Sequence, residues 1–172
     1  SKGFYGGGIE MADASGTIVR TSNITPDNAT GIGKWTKDQF ISAMRTGVKP
    51  NGNVFRYPMM RIATLSDHAL GGIYDYLRTV PAISKTVDKT YTLSIPANAS
   101  TGEKLYYKYG CVACHGSTGM GMANLQTANA KYPEDATMED VIRHPYKYNP
   151  DSYMPEWDSV IDPQHYPDLI AH

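Results

Sequence analysis

The chain is poor in several features that would assign it to a common class. Its 172 residues include only two cysteines and three phenylalanines, and 16 Lys and Arg against 17 Asp and Glu leave a formal net charge of −1. That balance gives no bulk electrostatic case for nucleic-acid binding. No apolar run approaches the roughly 18 residues that a membrane helix needs, and the opening "SKGFYGGG" lacks the apolar core of a signal peptide. Strand patterns are nearly absent apart from Thr90 to Ile95, which predicts a mainly helical chain.

Helix signals are present, and two of them lie in the N-terminal half. In "WTKDQFISAMRTG", Thr36 is a candidate N-cap, Gln39 completes a capping box, and Gly47 ends the helix. In "LSDHALGGIYDYLRTV", Ser66 is the cap. Apolar residues at helical spacing then form one face of that helix, namely Leu70, Ile73, Tyr74, Leu77 and Val80.

Three further helices are predicted in the C-terminal half. Ser100 and Glu103 form a second capping box in "STGEKLYYKYG". "ATMEDVIRHP" predicts a short helix that Pro145 terminates. "DPQHYPDLIAH" begins with Asp162 as the cap and Pro163 at the first helical position.

A segment rich in Pro, Ser, Thr and Lys separates the two halves. It reads "VPAISKTVDKTYTLSIPANAS" and lacks helical periodicity, which is typical of a linker or an extended strap. The halves have similar layouts, although no precise sequence repeat is visible. The sequence therefore predicts domains at residues 1–82 and 100–172, joined by residues 83–99.

The strongest motif is "CVACH", which holds both cysteines, Cys111 and Cys114, followed by His115. Zinc would need two more ligands, but the other histidines are scattered singly. A thioredoxin-like dithiol would follow a strand in a βαβ unit. The adjacent histidine favours haem, since two thiols at this spacing form thioethers to its vinyl groups while the imidazole reaches the iron. Zinc binding and a redox dithiol remain the alternatives.

A six-coordinate haem needs a second axial ligand, and the candidate is Met154 in "DSYMPEW". The following proline holds such a methionine in an extended, rigid loop that can present its sulfur to iron. The alternative is that Met154 fills a gap in the core. His144, which precedes Pro145, is the rival ligand, with helix capping as its structural explanation.

The C-terminal half resembles a class I cytochrome c domain. The similarity runs from Ser100 to His172 and rests on "GEKLYYKYGCVACHG", the Met-Pro pair and the final "YPDLIAH". It implies a first helix, the CxxCH motif, a methionine ligand loop and a closing helix, with haem c bound covalently at the two thiols. It also implies that Gly102 and Tyr106 pack against the last helix near Leu169.

The N-terminal half resembles the cytochrome c domains of multihaem dehydrogenase subunits. "NITPDNATGIGKW" and "YPMM" carry this resemblance. It implies that Trp35 lines a second haem and that Met59 or Met60 is its distal ligand, although this half contains no cysteine. We expect the missing first CxxCH to lie upstream of this sequence. The alternative is a vestigial domain without haem.

The expected fold is mainly α, with two tandem cytochrome c-like helical domains and long haem-wrapping loops. The expected function is electron transfer by a dihaem c-type cytochrome with His/Met ligation, between redox protein partners or within a larger respiratory or dehydrogenase complex. The chain is not expected to be an enzyme. The alternative is a haem enzyme, of peroxidase or thiosulfate-oxidising type, with a labile distal ligand. Covalent haem c implies a periplasmic or otherwise extracytoplasmic location, which suits a chain without further thiols.

Overall fold

A computed structural model describes residues 4–91 and 94–172 of the chain. Helices dominate its regular structure, so the expectation of a mainly α chain is confirmed. A 3₁₀ turn at Pro163–His165 leads into the last helix. The elements in chain order are β1 (Glu10–Ala12), β2 (Ile18–Arg20), α1 (Lys37–Thr46), α2 (Asp67–Thr79), α3 (Thr101–Tyr109), α4 (Val112–His115), α5 (Ala128–Lys131), α6 (Asp135–Arg143), α7 (Pro145–Tyr148) and α8 (Tyr166–Ala171).

The two strands form a small antiparallel hairpin that the sequence analysis missed. Met11 pairs with Val19 at its centre, and each strand has only three residues, too few for alternation to stand out. The strand predicted from Thr90 to Ile95 is wrong for its described residues, which lie in no strand. That prediction also includes Thr92 and Leu93, which lie outside the described residues.

The N-terminal half is built on the contact between α1 and α2. The capping box of Thr36 and Gln39 is formed, and Gly47 ends α1 in the left-handed conformation at φ 75°. A buried cluster of Ile32, Phe40 and Leu77 fills the space beside the two helices. Burying each of these side chains contributes about 1.5–3 kcal/mol, so this cluster is the main core of the half.

The C-terminal half is built on the crossing of α3 and α8. Ser100 accepts a hydrogen bond from the backbone N–H of Glu103 and so caps α3. Tyr106 packs against Leu169 of α8, and Gly102 lies directly against the α8 backbone, as the family resemblance implies. Pro145 does stop the preceding helix, and it also opens α7, where its missing N–H is not needed.

Candidate haem site

Cys111, Cys114 and His115 come together at one short helix, α4, directly after α3. Gly110 ends α3 at φ 81°, a conformation that residues with side chains rarely adopt, and so lets the chain turn. Cys111 is the first residue after that turn and caps α4. Residues three apart in a helical turn share a face, and both cysteines are free thiols.

The loop after α4 folds back and fixes the imidazole. The backbone N–H groups of Gly121 and Met122 donate to the carbonyls of His115 and Cys114, at 2.7 and 2.8 Å. The His115 Nδ1 lies 3.1 Å from the carbonyl oxygen of Ala123. A carbonyl only accepts, so Nδ1 carries the hydrogen and Nε2 keeps a free lone pair. Burial also lowers the pKa of His115, which favours the neutral ring that a metal ligand needs.

The environment of the thiols disfavours the two competing interpretations of the motif. Burial raises the pKa of Cys111 to about 12. Burial also raises the pKa of Cys114, against a hydrogen bond from the Tyr57 backbone that lowers it. A reactive dithiol needs a lowered thiol pKa. Within residues 4–91 and 94–172, no group of three or more His, Cys, Asp and Glu side chains is placed to bind a metal ion, as zinc would require.

The N-terminal half contacts this motif directly. The backbone N–H of Ala14, in the turn between β1 and β2, donates to the carbonyl of Ala113 at 2.9 Å. The adjacent Asp13 is fully buried at its side chain and pairs with Arg56 at 2.5 Å. The Arg56 guanidinium in turn lies next to Gly110. The "CVACH" motif is therefore in contact with the other half of the chain on one side.

Met154 lies in a loop with its side chain half-buried against the cluster of Trp157, Ile161 and Tyr166. Its backbone N–H donates to Ser152 Oγ at 3.2 Å. The rival His144 is engaged elsewhere, because its Nδ1 lies 3.0 Å from an Asp140 carboxylate oxygen. His144 is thus hydrogen-bonded to a carboxylate of the preceding helix, whereas Met154 packs among apolar side chains.

The candidates from the N-terminal half lie in different surroundings. Trp35 packs into the cluster around Ile32, and its carbonyl accepts a hydrogen bond from the Tyr74 hydroxyl at 2.7 Å. Met59 is 44% exposed and Met60 is half-buried. Trp35 is therefore partly buried beside the core cluster and the two methionines lie in a loop, and ligation by either methionine stays a prediction.

The residues of the C-terminal half fit a haem group. Two free thiols on one helical turn precede an imidazole whose Nε2 is available. A further sign is the Trp157 indole N–H, three residues after Met154, which is buried and has no hydrogen-bond partner in the described part of the chain. Such a donor costs free energy unless it is satisfied, and a haem propionate is a suitable acceptor.

Residues 97–172 match the family model of cytochrome C oxidase, cbb3-type, subunit III. This segment is therefore similar to a c-type cytochrome domain. That similarity is consistent with covalently bound haem c. The expected resemblance of the C-terminal half is therefore confirmed at the level of the domain, and the motif "CVACH" falls inside the matched residues.

This chain is similar to several proteins that are named as cytochrome subunits of dehydrogenases. It is 44% identical over 75 residues to the gluconate 2-dehydrogenase cytochrome c subunit of Pantoea cypripedii, covering 42% of this chain and 17% of that protein. It is 36% identical over 98 residues to the alcohol dehydrogenase (quinone) cytochrome c subunit of Gluconobacter oxydans, covering 53% and 20%. For the fructose dehydrogenase cytochrome subunit of Gluconobacter japonicus, the identity is 33% over 102 residues, covering 55% and 21%.

The sequence similarity to these relatives extends beyond residues 97–172, but it covers only part of this chain and a small part of each relative. Residues 97–172 are less than half of the chain, so an alignment over 55% of it includes residues of the N-terminal half. The chain spans about a fifth of the length of these three relatives. Every helix among the described residues is too short or too polar to cross a membrane.

Sequence reasoning missed the groups that orient the site. The carbonyl of Ala123 holds His115, but every residue has a carbonyl, so no residue type marks it. Arg56 and Asp13 lie 43 positions apart, beyond the range of any local pattern. The pairing of His144 with Asp140 at i and i+4 is, by contrast, a contact whose spacing is visible in the sequence.

Proposed function

We propose that the chain is an electron-transfer c-type cytochrome whose haem c is bound through Cys111 and Cys114 and ligated by His115 and Met154. The observation that carries the proposal is the hydrogen bond from His115 Nδ1 to Ala123, which directs Nε2 away as a ligand, beside two free thiols. It also rests on the family match and on the names of the relatives.

The chain's own residues are suited to transferring electrons without binding a substrate at the iron. Haem c, when bound, takes up and releases one electron at its iron. If the His115 imidazole and the Met154 thioether both bound the iron, they would leave it no free position for a substrate, and the thioether would raise the reduction potential. Glu156 and His144, the acid–base candidates of the enzyme alternative, are bonded to Tyr146 and Asp140. We therefore propose an electron carrier rather than a catalytic subunit.

The test combines haem content with ligand binding. The purified chain should gain the mass of haem and give a low-spin reduced spectrum that carbon monoxide leaves unchanged. Met154→Ala should lower the potential and let carbon monoxide bind. Met11→Ala, in the hairpin, is the control and should behave as wild type. A colourless protein, or an unchanged spectrum and potential in Met154→Ala, would refute the proposal.

We further propose that the N-terminal half belongs to a second haem unit, with Met59 or Met60 as the distal ligand and Trp35 in its lining. Support comes from the resemblance of "NITPDNATGIGKW" and "YPMM" to the cytochrome c domains of multihaem dehydrogenase subunits. The sequence holds a single CxxCH, so covalent attachment here needs cysteines outside it. Haem quantitation on the native protein decides the question, because two haems per chain are expected and one would contradict the proposal.

We propose that the cytochrome works outside the cytoplasm, in the periplasm, within a larger dehydrogenase or respiratory complex. The relatives are by name subunits of dehydrogenases, and the resemblance to c-type cytochromes implies that haem is attached to the two thiols outside the cytoplasm. Fractionation of cells should recover the haem-loaded protein outside the cytoplasm. Reduction of the native complex by its substrate, followed at the haem absorbance, would identify the donor, and a cytoplasmic pool of holoprotein would contradict this assignment.

A further inference from the structure

Arg61 makes an unusual set of contacts for a buried cation. Only 6% of the residue is exposed, and its guanidinium donates to three backbone carbonyls. The bonds reach Arg45 at 2.9 Å, Pro150 at 2.8 Å and Ser152 at 2.5 Å. The first acceptor is at the end of α1, and the other two lie in the loop that carries Met154. One side chain of the N-terminal half therefore joins the two halves.

A second contact holds the other side of the same loop. A Cβ added to Gly47 would come within 2.9 Å of the Pro155 Cβ, so Pro155 packs on the end of α1. The backbone N–H of Glu156 donates to the Thr46 carbonyl at 2.8 Å. Met154 is thus flanked on both sides by residues that are bonded to the N-terminal half.

These contacts help to hold the loop in position, together with hydrogen bonds from Trp157 to Arg143 and from Tyr146 to Glu156. Residues 149–157 belong to no helix or strand, so no hydrogen-bond ladder holds their backbone. A guanidinium presents several donors in a rigid fork, and bonds from a charged donor are the stronger kind. The Tyr146 ring also lies 5.1 Å from the Arg61 guanidinium carbon and limits its movement.

We propose that Arg61 is a positioning residue for Met154. Its guanidinium holds the loop so that the methionine sulfur stays on the iron, and the N-terminal half thereby controls ligand exchange at the haem of the other half. This inference rests on the proposed His115/Met154 ligation. Arg61 itself touches neither the sulfur nor the imidazole in any contact described above, so its effect passes through the loop.

Variants of Arg61 in the haem-loaded full chain test the proposal. Arg61→Met keeps much of the side-chain volume and removes all three donors. We expect cyanide to bind the ferric iron about tenfold faster or more, the potential to fall, and the far-red methionine–iron(III) band to weaken. Arg61→Lys keeps the charge but loses the fork, so it should restore these values in part. Arg78→Met is the control, since that guanidinium donates to Gly33 within the N-terminal half.

A pair of glycine variants probes the same loop from its other side. Gly47 and Gly52 both have positive φ, 75° and 82°, so alanine strains the backbone at either position. Only Gly47→Ala also meets Pro155, because nothing lies within 4 Å of a Cβ on Gly52. Gly47→Ala should therefore speed cyanide binding, whereas Gly52→Ala should match wild type.

The outcomes separate this inference from the proposed function. If the wild-type protein lacks the methionine–iron(III) band, the proposed His115/Met154 ligation is wrong. If the wild-type protein has the band, Arg61→Met keeps it, and cyanide binds Arg61→Met no faster than Arg78→Met, then the role of Arg61 is overturned while the proposed ligation stands. If Arg61→Met does not load haem, the cyanide-binding rates of Arg61→Lys and of the two glycine variants test the inference instead. Wild-type rates in both Arg61→Lys and Gly47→Ala would overturn it.

Discussion

Gly102 and Asp168 touch through their backbones: a Cβ on Gly102 would lie 2.0 Å from the Asp168 carbonyl oxygen. This is where α3 crosses α8. The closeness of the two helices lets Tyr106, one turn further along α3, pack against Leu169. Because α4 follows α3 directly, the crossing also sets the position of the attachment motif relative to the C-terminal helix.

Gly102→Ala should therefore destabilise the protein by about 1–3 kcal/mol, since an added methyl group overpacks the crossing. Gly72→Ala is the matched control, because Gly72 lies inside α2 with nothing within 4 Å of a Cβ. That change should stabilise the protein by about 0.5–1 kcal/mol through helix propensity. Denaturant unfolding of both holoproteins gives the comparison, and equal effects would contradict the proposed closeness of α3 and α8.

Two ion pairs of the hairpin region should differ sharply in their contribution to stability. The Asp13 side chain is fully buried, and besides Arg56 it accepts bonds from the backbone of Ser15 and Thr17. Asp13→Ala leaves these donors and the Arg56 charge without their acceptor, so we expect a loss of about 3–5 kcal/mol.

Glu10→Ala is the control for Asp13→Ala. Glu10 pairs with Arg20 at 2.7 Å on the surface, where its side chain is 59% exposed. An exposed pair contributes about 0–1 kcal/mol, so this change should be nearly silent. Free energies of unfolding for the two variants measure the difference, and a small effect of Asp13→Ala would mean that the pair is hydrated in solution.

The features that sequence analysis predicted correctly are those whose partners are close in the chain. The capping box of Thr36 and Gln39 is an example. Its two residues lie three positions apart, and both residue types are typical of a helix N-terminus. The left-handed Gly110 shows it as well, since a glycine after a helical pattern marks the helix end. The haem interpretation of the CxxCH motif also rests on five consecutive residues, and it stays a prediction.

The features that were missed depend on contacts between distant parts of the chain. Arg61 and Ser152 are 91 positions apart, and the acceptor is a backbone carbonyl, which carries no residue signature. The hairpin was missed because its strands are three residues long. Docking of the β1–β2 turn on Ala113 follows from the tertiary fold alone, since neither sequence segment carries a pattern that would indicate the other.

The Tyr106 hydroxyl should matter more than that of its neighbour. Tyr106 is buried, and its hydroxyl donates to the Gly116 carbonyl at 2.7 Å, which ties α3 to the end of α4. Tyr106→Phe leaves that carbonyl without its donor and should cost about 1–3 kcal/mol. Tyr107→Phe is the control, since Tyr107 packs in the same cluster but its hydroxyl has no partner among residues 4–91 and 94–172. Similar unfolding free energies for the two variants would contradict this difference.

Asp27 should make stability depend on pH in the acid range. The Thr30 hydroxyl and backbone N–H donate to its carboxylate at 2.8 and 2.6 Å, and these bonds lower the pKa of Asp27. A lowered folded-state pKa adds stability that is fully present above the unfolded value of about 3.9 and is lost as the pH falls through the folded value. Asp27→Asn removes the titrating group, so its unfolding free energy should fall less steeply than that of wild type between about pH 5 and pH 2. Unfolding curves at a series of pH values measure this slope, and parallel profiles for the two proteins would show that the Thr30 bonds do not persist in solution.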